Sequence, residues 1–140
     1  MSSRKRVLAA LLAMQRQSWE QGVAAHACRD IGRDDLVRLL AHGAVTRQAG
    51  DGRLADVGES GSVNGACCGE AVLLSGYADA ARRQAAWLVD DAPRDTDGTL
   101  FHLLDGREVW ADTVYMVVPF LALAGFGESA VPAARWTSPA

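Results

Sequence analysis

The densest group of residues suited to chemistry lies at positions 108–116, with the sequence Glu-Val-Trp-Ala-Asp-Thr-Val-Tyr-Met. Within it, Asp112 lies close in sequence to two aromatic residues, Trp110 and Tyr115. A carboxyl group held against aromatic rings has its charged form disfavoured, which suits it to donate a proton. Asp112 is therefore a candidate general acid. The alternative is structural: Asp is a preferred N-cap, so Asp112 caps the helix that follows and Tyr115 belongs to the core.

A second group, suited to ligand binding, lies at positions 18–24, where Trp19 is followed by Glu20 and Gln21. An aromatic ring offers a flat surface to the apolar face of a sugar, and neighbouring polar side chains bind its hydroxyls. Trp19 is therefore a candidate sugar-binding residue. The alternative is a capping box in which Ser18 and Gln21 satisfy the first backbone N–H groups of a helix, with Trp19 buried on its apolar side. A helix that continues through Ser18 fits the sequence equally well.

Two further polar residues, His102 and Asn64, are candidates for ligand binding. His102 lies in an apolar run and is either a hydrogen-bond donor to a ligand or a partly buried structural residue. Asn64 lies in the polar loop at 62–70, which leads into a predicted helix. It either binds a ligand or caps that helix.

The cysteines and histidines do not show the spacing of a metal site. They are Cys28, Cys67, Cys68, His26, His42 and His102. We therefore expect no metal, and no cofactor. An odd number of cysteines with two of them adjacent is also a poor disulfide framework, which favours a reducing compartment, the cytoplasm.

The length of 140 residues and the mass of 14.9 kDa predict a single domain over 1–140. The formal net charge of -3 gives no electrostatic reason to bind nucleic acid or an anionic membrane. The uncharged stretch 113–127 is too short for a membrane span and contains Pro119. The basic residues at 4–6 and the apolar run after them imitate a signal peptide, but no small-residue cleavage site follows, so we expect no secretion.

Hydrophobic periodicity and turn signals predict a mostly helical chain. The predicted helices cover 4–17, 19–29, 34–48, 66–74, 79–89 and 112–124. An Asp-Gly pair at 105–106 separates two apolar runs and predicts a small β-hairpin at 99–110. In that register two pairs face each other, Phe101 with Trp110 and His102 with Val109.

A repeat of 44 residues indicates how the helices are organised. Gly32, Asp35, Arg38, Ala41 and Val45 recur as Gly76, Asp79, Arg82, Ala85 and Val89, and a fainter third copy starts at Gly125 and Glu128. The repeated unit is a helix, a glycine turn and a second helix, which is an αα-hairpin. Stacked αα-hairpins form a solenoid, or a toroid when the stack closes on itself. The sequence therefore predicts an all-α fold of stacked αα-hairpins.

Several motifs resemble those of one enzyme family. They are the run at 18–24, the loop that precedes 69–73, and the runs at 97–103, 110–116 and 119–122. In this order they are similar to the unsaturated glucuronyl and rhamnogalacturonyl hydrolases, glycoside hydrolase families 88 and 105. The most specific elements are Trp-Glu-Gln-Gly-Val at 19–23 and Trp-x-Asp-x-x-Tyr-Met at 110–116. The resemblance implies a partial (α/α)6 toroid, in which this chain corresponds to the N-terminal part.

The resemblance also implies an activity. Enzymes of this family act on the Δ4,5-unsaturated uronic acid at the end of an oligosaccharide. An Asp protonates the vinyl ether double bond, water adds at C5, and the hemiketal collapses to release the sugar. By resemblance Asp112 is that acid and base, and Trp19, Trp110 and His102 line the sugar site.

The chain departs from the family pattern in two places. Asn64 aligns with a second Asp of the family, and an amide cannot take a proton. The chain also supplies less than half of the toroid, so part of the wall around the substrate is missing. One alternative is a non-catalytic truncated scaffold, or a carbohydrate-binding or interaction module, of the same lineage. Another is that a second copy, as a homo-oligomer, or a separate second half completes the ring.

Overall fold

The structure, a computed structural model, describes residues 2–133 of the chain. Within that range it contains seven α-helices and no β-sheet. They are α1 (Ser3–Ala13), α2 (Ser18–Asp30), α3 (Asp34–Thr46), α4 (Gly69–Leu74), α5 (Ala78–Ala86), α6 (Asp112–Leu123) and α7 (Gly127–Ala133). A 3-10 turn, Asn64–Cys68, leads into α4, and a π-helical turn, Trp87–Asp91, follows α5. The expected all-α class is confirmed.

Six of these helices form successive pairs, α2 with α3, α4 with α5 and α6 with α7, and each pair turns at a glycine. The glycines are Gly32, Gly76 and Gly125, with φ angles of 70°, 90° and 88°. After each glycine the next backbone N–H returns to the preceding helix, as Arg33 does to the carbonyl of Cys28 at 2.9 Å. This left-handed turn is a helix ending that glycine adopts without strain. The repeat seen in the sequence is therefore the repeat of this turn and its two helices.

Close contact between successive pairs depends on small residues. α4 contacts both α2 and α6. A side chain at Gly69, the first residue of α4, would overlap the ring of Phe120 on α6. A side chain at Gly22 on α2 would lie 2.5 Å from the backbone of Cys67 in the 3-10 turn. The helices approach one another because these two positions carry no side chain.

The β-hairpin expected at 99–110 is not confirmed. Its two arms share one backbone bond, from the N–H of His102 to the carbonyl of Glu108 at 2.7 Å. Other segments take the remaining groups: Leu103 forms a bridge with Gly61, and the N–H of Phe101 donates to Pro93 at 2.8 Å. The Asp-Gly turn signal is therefore overridden by tertiary contacts, and 92–111 is a loop packed against the loop that precedes the 3-10 turn.

The start of α2 also differs from the expected capping box. The helix begins at Ser18, one residue earlier than expected, and its N-cap is Gln17. The Glu20 carboxylate accepts from the backbone N–H of Gln17 at 2.9 Å. Gln21 is buried instead, and its side-chain amide donates to the carbonyl of Leu40 on α3 at 2.6 Å. The pairing of Ser18 with Gln21 is therefore wrong by one residue.

The apolar stretch identified in the sequence becomes α6 and the start of α7. α6 carries Pro119 in its interior and buries Met116, Val117 and Phe120 against the core. Among the residues described, no helix has both the length and the apolar character needed to cross a bilayer.

Candidate functional site

The five residues singled out in the sequence line one cavity of about 320 Å³. Its walls are formed by Gln17, Trp19, Glu59, Ser60, Gly61, Asn64, His102, Leu103, Trp110 and Asp112. The lining comes from the start of α2, the loop before the 3-10 turn, the loop at 92–111 and the start of α6. Segments that lie far apart in the chain therefore meet at this place.

Asp112 is the first residue of α6, and its side chain is 59% exposed. The N-cap position is occupied by Ala111, which has no capping side chain, so the structure does not support the interpretation of Asp112 as N-cap. One carboxylate oxygen of Asp112 lies 3.8 Å from Nδ1 of His102. A negative charge in the first turn also interacts favourably with the helix dipole. The carboxylate is therefore at the edge of the cavity and open to water, rather than enclosed by aromatic rings.

The side chain of His102 is held by contacts on several sides. Its side chain is 6% exposed, and its ring stacks on Trp110 with centroids 4.1 Å apart and planes 8° from parallel. Nδ1 lies 3.3 Å from the hydroxyl of Thr113 on α6. Both backbone groups are also bonded, the N–H to Glu108 and the carbonyl to the N–H of Ser62 at 2.8 Å. The ring position is therefore fixed before any ligand arrives.

Burial lowers the pKa of His102 below its ordinary value. The carboxylates of Asp112, Glu108 and Glu59 act in the opposite direction but do not cancel the effect of burial. The imidazole is therefore neutral at neutral pH, with one nitrogen that donates and one that accepts.

The two tryptophans offer partly open aromatic surfaces. Trp19 is 39% exposed and Trp110 is 44% exposed. Each indole N–H is bonded to a nearby side chain, Trp19 to Gln17 at 2.7 Å and Trp110 to Glu108 at 2.8 Å. Because its indole is partly exposed, the alternative of a buried Trp19 on the apolar side of α2 is wrong. Two indoles that line one cavity and keep open surfaces are suited to stack against a sugar ring.

Asn64 is the deepest polar residue of the site, with 4% of its surface exposed. Its side-chain amide Nδ2 donates to Oε2 of Glu59 at 2.5 Å. The other oxygen of Glu59 accepts from the backbone N–H of Ser18 at 2.9 Å. Within residues 2–133, Oδ1 of Asn64 is buried and has no hydrogen-bond partner. Asn64 therefore does not cap a helix through Oδ1.

Glu59 is the residue that sequence reasoning missed. It lies in a loop rich in glycine and serine, next to no motif, so nothing in the local pattern marks it as functional. Together with Asp112 it places two carboxylates on the cavity wall, and no Lys or Arg is among the described lining residues. Two carboxylate acceptors and two aromatic surfaces on one cavity wall favour ligands with hydroxyl groups.

Tyr115 does not line the cavity. It lies one turn along α6 from Asp112, and its hydroxyl is 2.5 Å from Nδ1 of His26 on α2. Its side chain is 49% exposed, so it is neither a wall of the site nor part of the core. The expectation that Trp110 and Tyr115 enclose Asp112 is therefore wrong: Trp110 lines the same cavity but leaves the carboxylate open, and Tyr115 lies outside it.

The cysteines are buried like small apolar residues, and none of them is in a disulfide. Cys28, Cys67 and Cys68 are each at most 2% exposed, and none forms a disulfide. Burial raises the pKa of Cys67 to about 12, which leaves it as an unreactive thiol at neutral pH. Across residues 2–133, no group of three or more His, Cys, Asp or Glu side chains is placed to hold a metal ion.

Comparison of the chain with protein-family models, with curated proteins and with solved structures finds no match. The observations that bear on function are therefore those of the cavity itself. They are two open indoles, a fixed neutral imidazole, an exposed carboxylate and a carboxylate–amide pair whose amide is buried.

Proposed function

We propose that the chain is a glycoside hydrolase-like protein that acts on oligosaccharides ending in an unsaturated uronic acid. The observation that supports this proposal is the position of Trp19, Asn64, His102, Trp110 and Asp112 on one cavity. These residues come from separate motifs that together resemble one hydrolase family, and they span more than ninety positions of the chain. Common placement of such dispersed residues is typical of a ligand site.

We also propose that the helix pairs are part of an (α/α)6 toroid. The support is the repeated glycine turn and the contacts of α4 with α2 and α6. In this arrangement the cavity lies where the first pairs meet, and further pairs would extend its walls. The three buried, unpaired cysteines support a cytoplasmic location.

In the proposed reaction Asp112 gives its proton to C4 of the double bond, and positive charge develops at C5. Water then adds at C5 and returns a proton to the Asp112 carboxylate. The hemiketal that results opens and releases the remaining sugar. The exposed position of Asp112 supports the second of these steps alone, because water reaches the carboxylate directly.

The carboxylate of the substrate needs a partner that this cavity does not offer, because no Lys or Arg is among its described lining residues. We therefore propose that the substrate carboxylate points out of the cavity, toward the side on which Asp112 is open. A second copy of the chain or a separate second half would cover that side and neutralise the charge. Such a partner would also exclude water and so strengthen the electrostatic interactions of the site.

A second candidate function is a carbohydrate-binding module without catalysis. The observation that favours it is the 59% exposure of the Asp112 side chain. Catalytic carboxylates that donate protons gain strength from enclosure, which this chain alone does not provide. The stacked and open indoles would still bind a sugar.

The experiment that tests the proposal follows the ultraviolet absorbance of the double bond in an unsaturated glucuronyl disaccharide. Wild-type protein should consume it, and Asp112→Asn should be about 100-fold slower or more. Asp105→Asn changes an exposed carboxylate in the loop that precedes α6; it is the matched control and should keep wild-type turnover. Equal turnover by Asp112→Asn and wild type would contradict the catalytic role. Binding without turnover in the wild type would instead support the binding module.

A further inference from the structure

We propose that Glu59 is a ligand-binding residue of the cavity that accepts a hydrogen bond from a sugar hydroxyl, and that Asn64 is its positioning residue. The inference rests on the proposed function only in taking a sugar as the ligand. In this proposal Glu59 presents a negative charge to the cavity, which the uncharged amide of Asn64 cannot do.

The first support is that Glu59 is held at both oxygens. Oε1 accepts from the backbone N–H of Ser18 at 2.9 Å, and Oε2 accepts from Nδ2 of Asn64 at 2.5 Å. Each carboxylate oxygen has two lone pairs, so both retain the capacity to accept one more bond. Carboxylates fixed in this way bind hydroxyl donors with little further loss of side-chain entropy.

The second support is that the amide of Asn64 has only one workable orientation. With Nδ2 toward Glu59, the pair is a donor and an acceptor. The reversed amide would place two oxygens against each other. An Asp at this position would do the same with two negative charges, which repel at this distance. The presence of Asn at position 64 is therefore matched to the presence of Glu at position 59.

The third support is that the surroundings of this pair are unfavourable for the stability of the fold. Oδ1 of Asn64 is buried without a partner within the described residues, an arrangement that destabilises the folded state. Gly61 lies so close that any side chain there would overlap the Asn64 amide. An unfavourable buried acceptor that persists beside a ligand cavity is typical of a functional site rather than of optimal packing.

The binding test compares wild type with Glu59→Gln, using tryptophan fluorescence to follow ligand binding to a cavity lined by Trp19 and Trp110. Two probes are titrated in parallel, the unsaturated glucuronyl disaccharide and the neutral disaccharide cellobiose. Glu59→Gln should weaken binding about tenfold, because an uncharged amide replaces the charged acceptor. Glu128→Gln, an exposed carboxylate on α7, is the matched control and should bind like wild type.

The positioning test uses the pair itself. Asn64→Asp places two carboxylates side by side, so they share a proton, and the variant should lose stability as the pH rises through the range in which that proton leaves. The double variant Glu59→Gln with Asn64→Asp restores one donor and one acceptor and should remove this pH dependence. A residue that serves packing alone would not show such a rescue.

The outcomes separate this inference from the proposed function. Weaker binding of cellobiose by Glu59→Gln, with no binding of the unsaturated disaccharide by either protein, supports Glu59 and overturns the uronate substrate. Equal binding by Glu59→Gln and wild type overturns the role of Glu59, whatever the effect of Asp112→Asn on turnover. Failure of the wild type to bind either probe also overturns it. An Asn64→Asp variant whose stability follows the wild-type pH profile overturns the positioning role.

Discussion

The helix pairs and the loops that complete the cavity are held together by different interactions. Within the pairs, backbone bonds are local, the turns at Gly32, Gly76 and Gly125 repeat, and small apolar residues fill the contacts. The loops depend on a few long-range polar bonds. The indole N–H of Trp87 donates to the carbonyl of Ser62 at 2.8 Å, and the Ser62 hydroxyl donates onward to a third segment.

The candidate site belongs mainly to the second kind of region. Trp19, Asn64 and Asp112 lie at or next to the first residue of a helix or a 3-10 turn, and His102 and Trp110 lie in the loop at 92–111. The helices fix where these segments begin, while the loop contacts decide how the side chains meet. Damage to the helix contacts should therefore affect the whole fold, whereas damage to the loop contacts should affect the site first.

The largest effect is expected from Gly69→Ala, which tests the helix contacts. The added methyl group overlaps the ring of Phe120, which is fully buried. We expect a loss of about 2–3 kcal/mol in the free energy of unfolding, because overpacking of a core forces side chains and backbone apart. Urea denaturation followed by far-ultraviolet circular dichroism measures it.

The matched control is Gly127→Ala, because Gly127 is also the first residue of a helix and has open space around the position of a new methyl group. Its stability should stay at the wild-type value or rise slightly. Equal stability of both alanine variants would show that α4 and α6 are not packed as closely as described.

The same contrast explains how much of the fold the sequence could predict. Turn glycines and helical periodicity are local signals, so the six predicted helices are found, with ends shifted by a few residues. The cap of α2 was misassigned because Ser is a preferred N-cap residue and Gln is not, whereas the actual start of the helix depends on the bond from Gln17 to Glu20. α7 follows the faint third copy of the repeat, which was too weak to predict a helix.

The loops could not be predicted in the same way. An Asp-Gly pair favours a hairpin only while its flanking strands have no better partners, and here Gly61 and Pro93 bind those backbone groups. Glu59 was missed for the same reason, because its importance comes from its contacts with Ser18 and Asn64. Motif residues could be singled out from the sequence, but the side chains that position them depend on long-range contacts.

A smaller effect is expected from Ser62→Ala, which tests the loop contacts. Ser62 is fully buried, and its hydroxyl donates to the carbonyl of Phe101 at 2.6 Å. Removal of the hydroxyl takes this donor from a buried carbonyl, so we expect a loss of about 1–2 kcal/mol. Hydrogen exchange of the His102 and Leu104 amides should accelerate, while exchange within the helices should change little.

Ser60→Ala is the control for this variant, since Ser60 lines the cavity but its side chain is exposed. It should keep wild-type stability and wild-type exchange. If Ser62→Ala accelerated exchange equally in α2, α4 and the loop, the separation of the two regions would be contradicted.

The smallest effect on stability is expected from the titration of His102. Its pH dependence tests whether the loop at 92–111 holds the imidazole ring in a buried position. Burial lowers the pKa of this imidazole below the ordinary value of 6.5, so the folded state favours the neutral ring. The unfolded chain therefore binds this proton more readily than the folded chain. The neutral ring makes its full contribution to the free energy of unfolding above pH 6.5, and this contribution is lost as the pH falls below 6.5. His102→Gln should flatten this part of the profile in urea unfolding measured from about pH 8 to about pH 5. His42→Gln, which removes an exposed imidazole, should retain the wild-type slope, and a slope that persists in His102→Gln would show that other groups cause it.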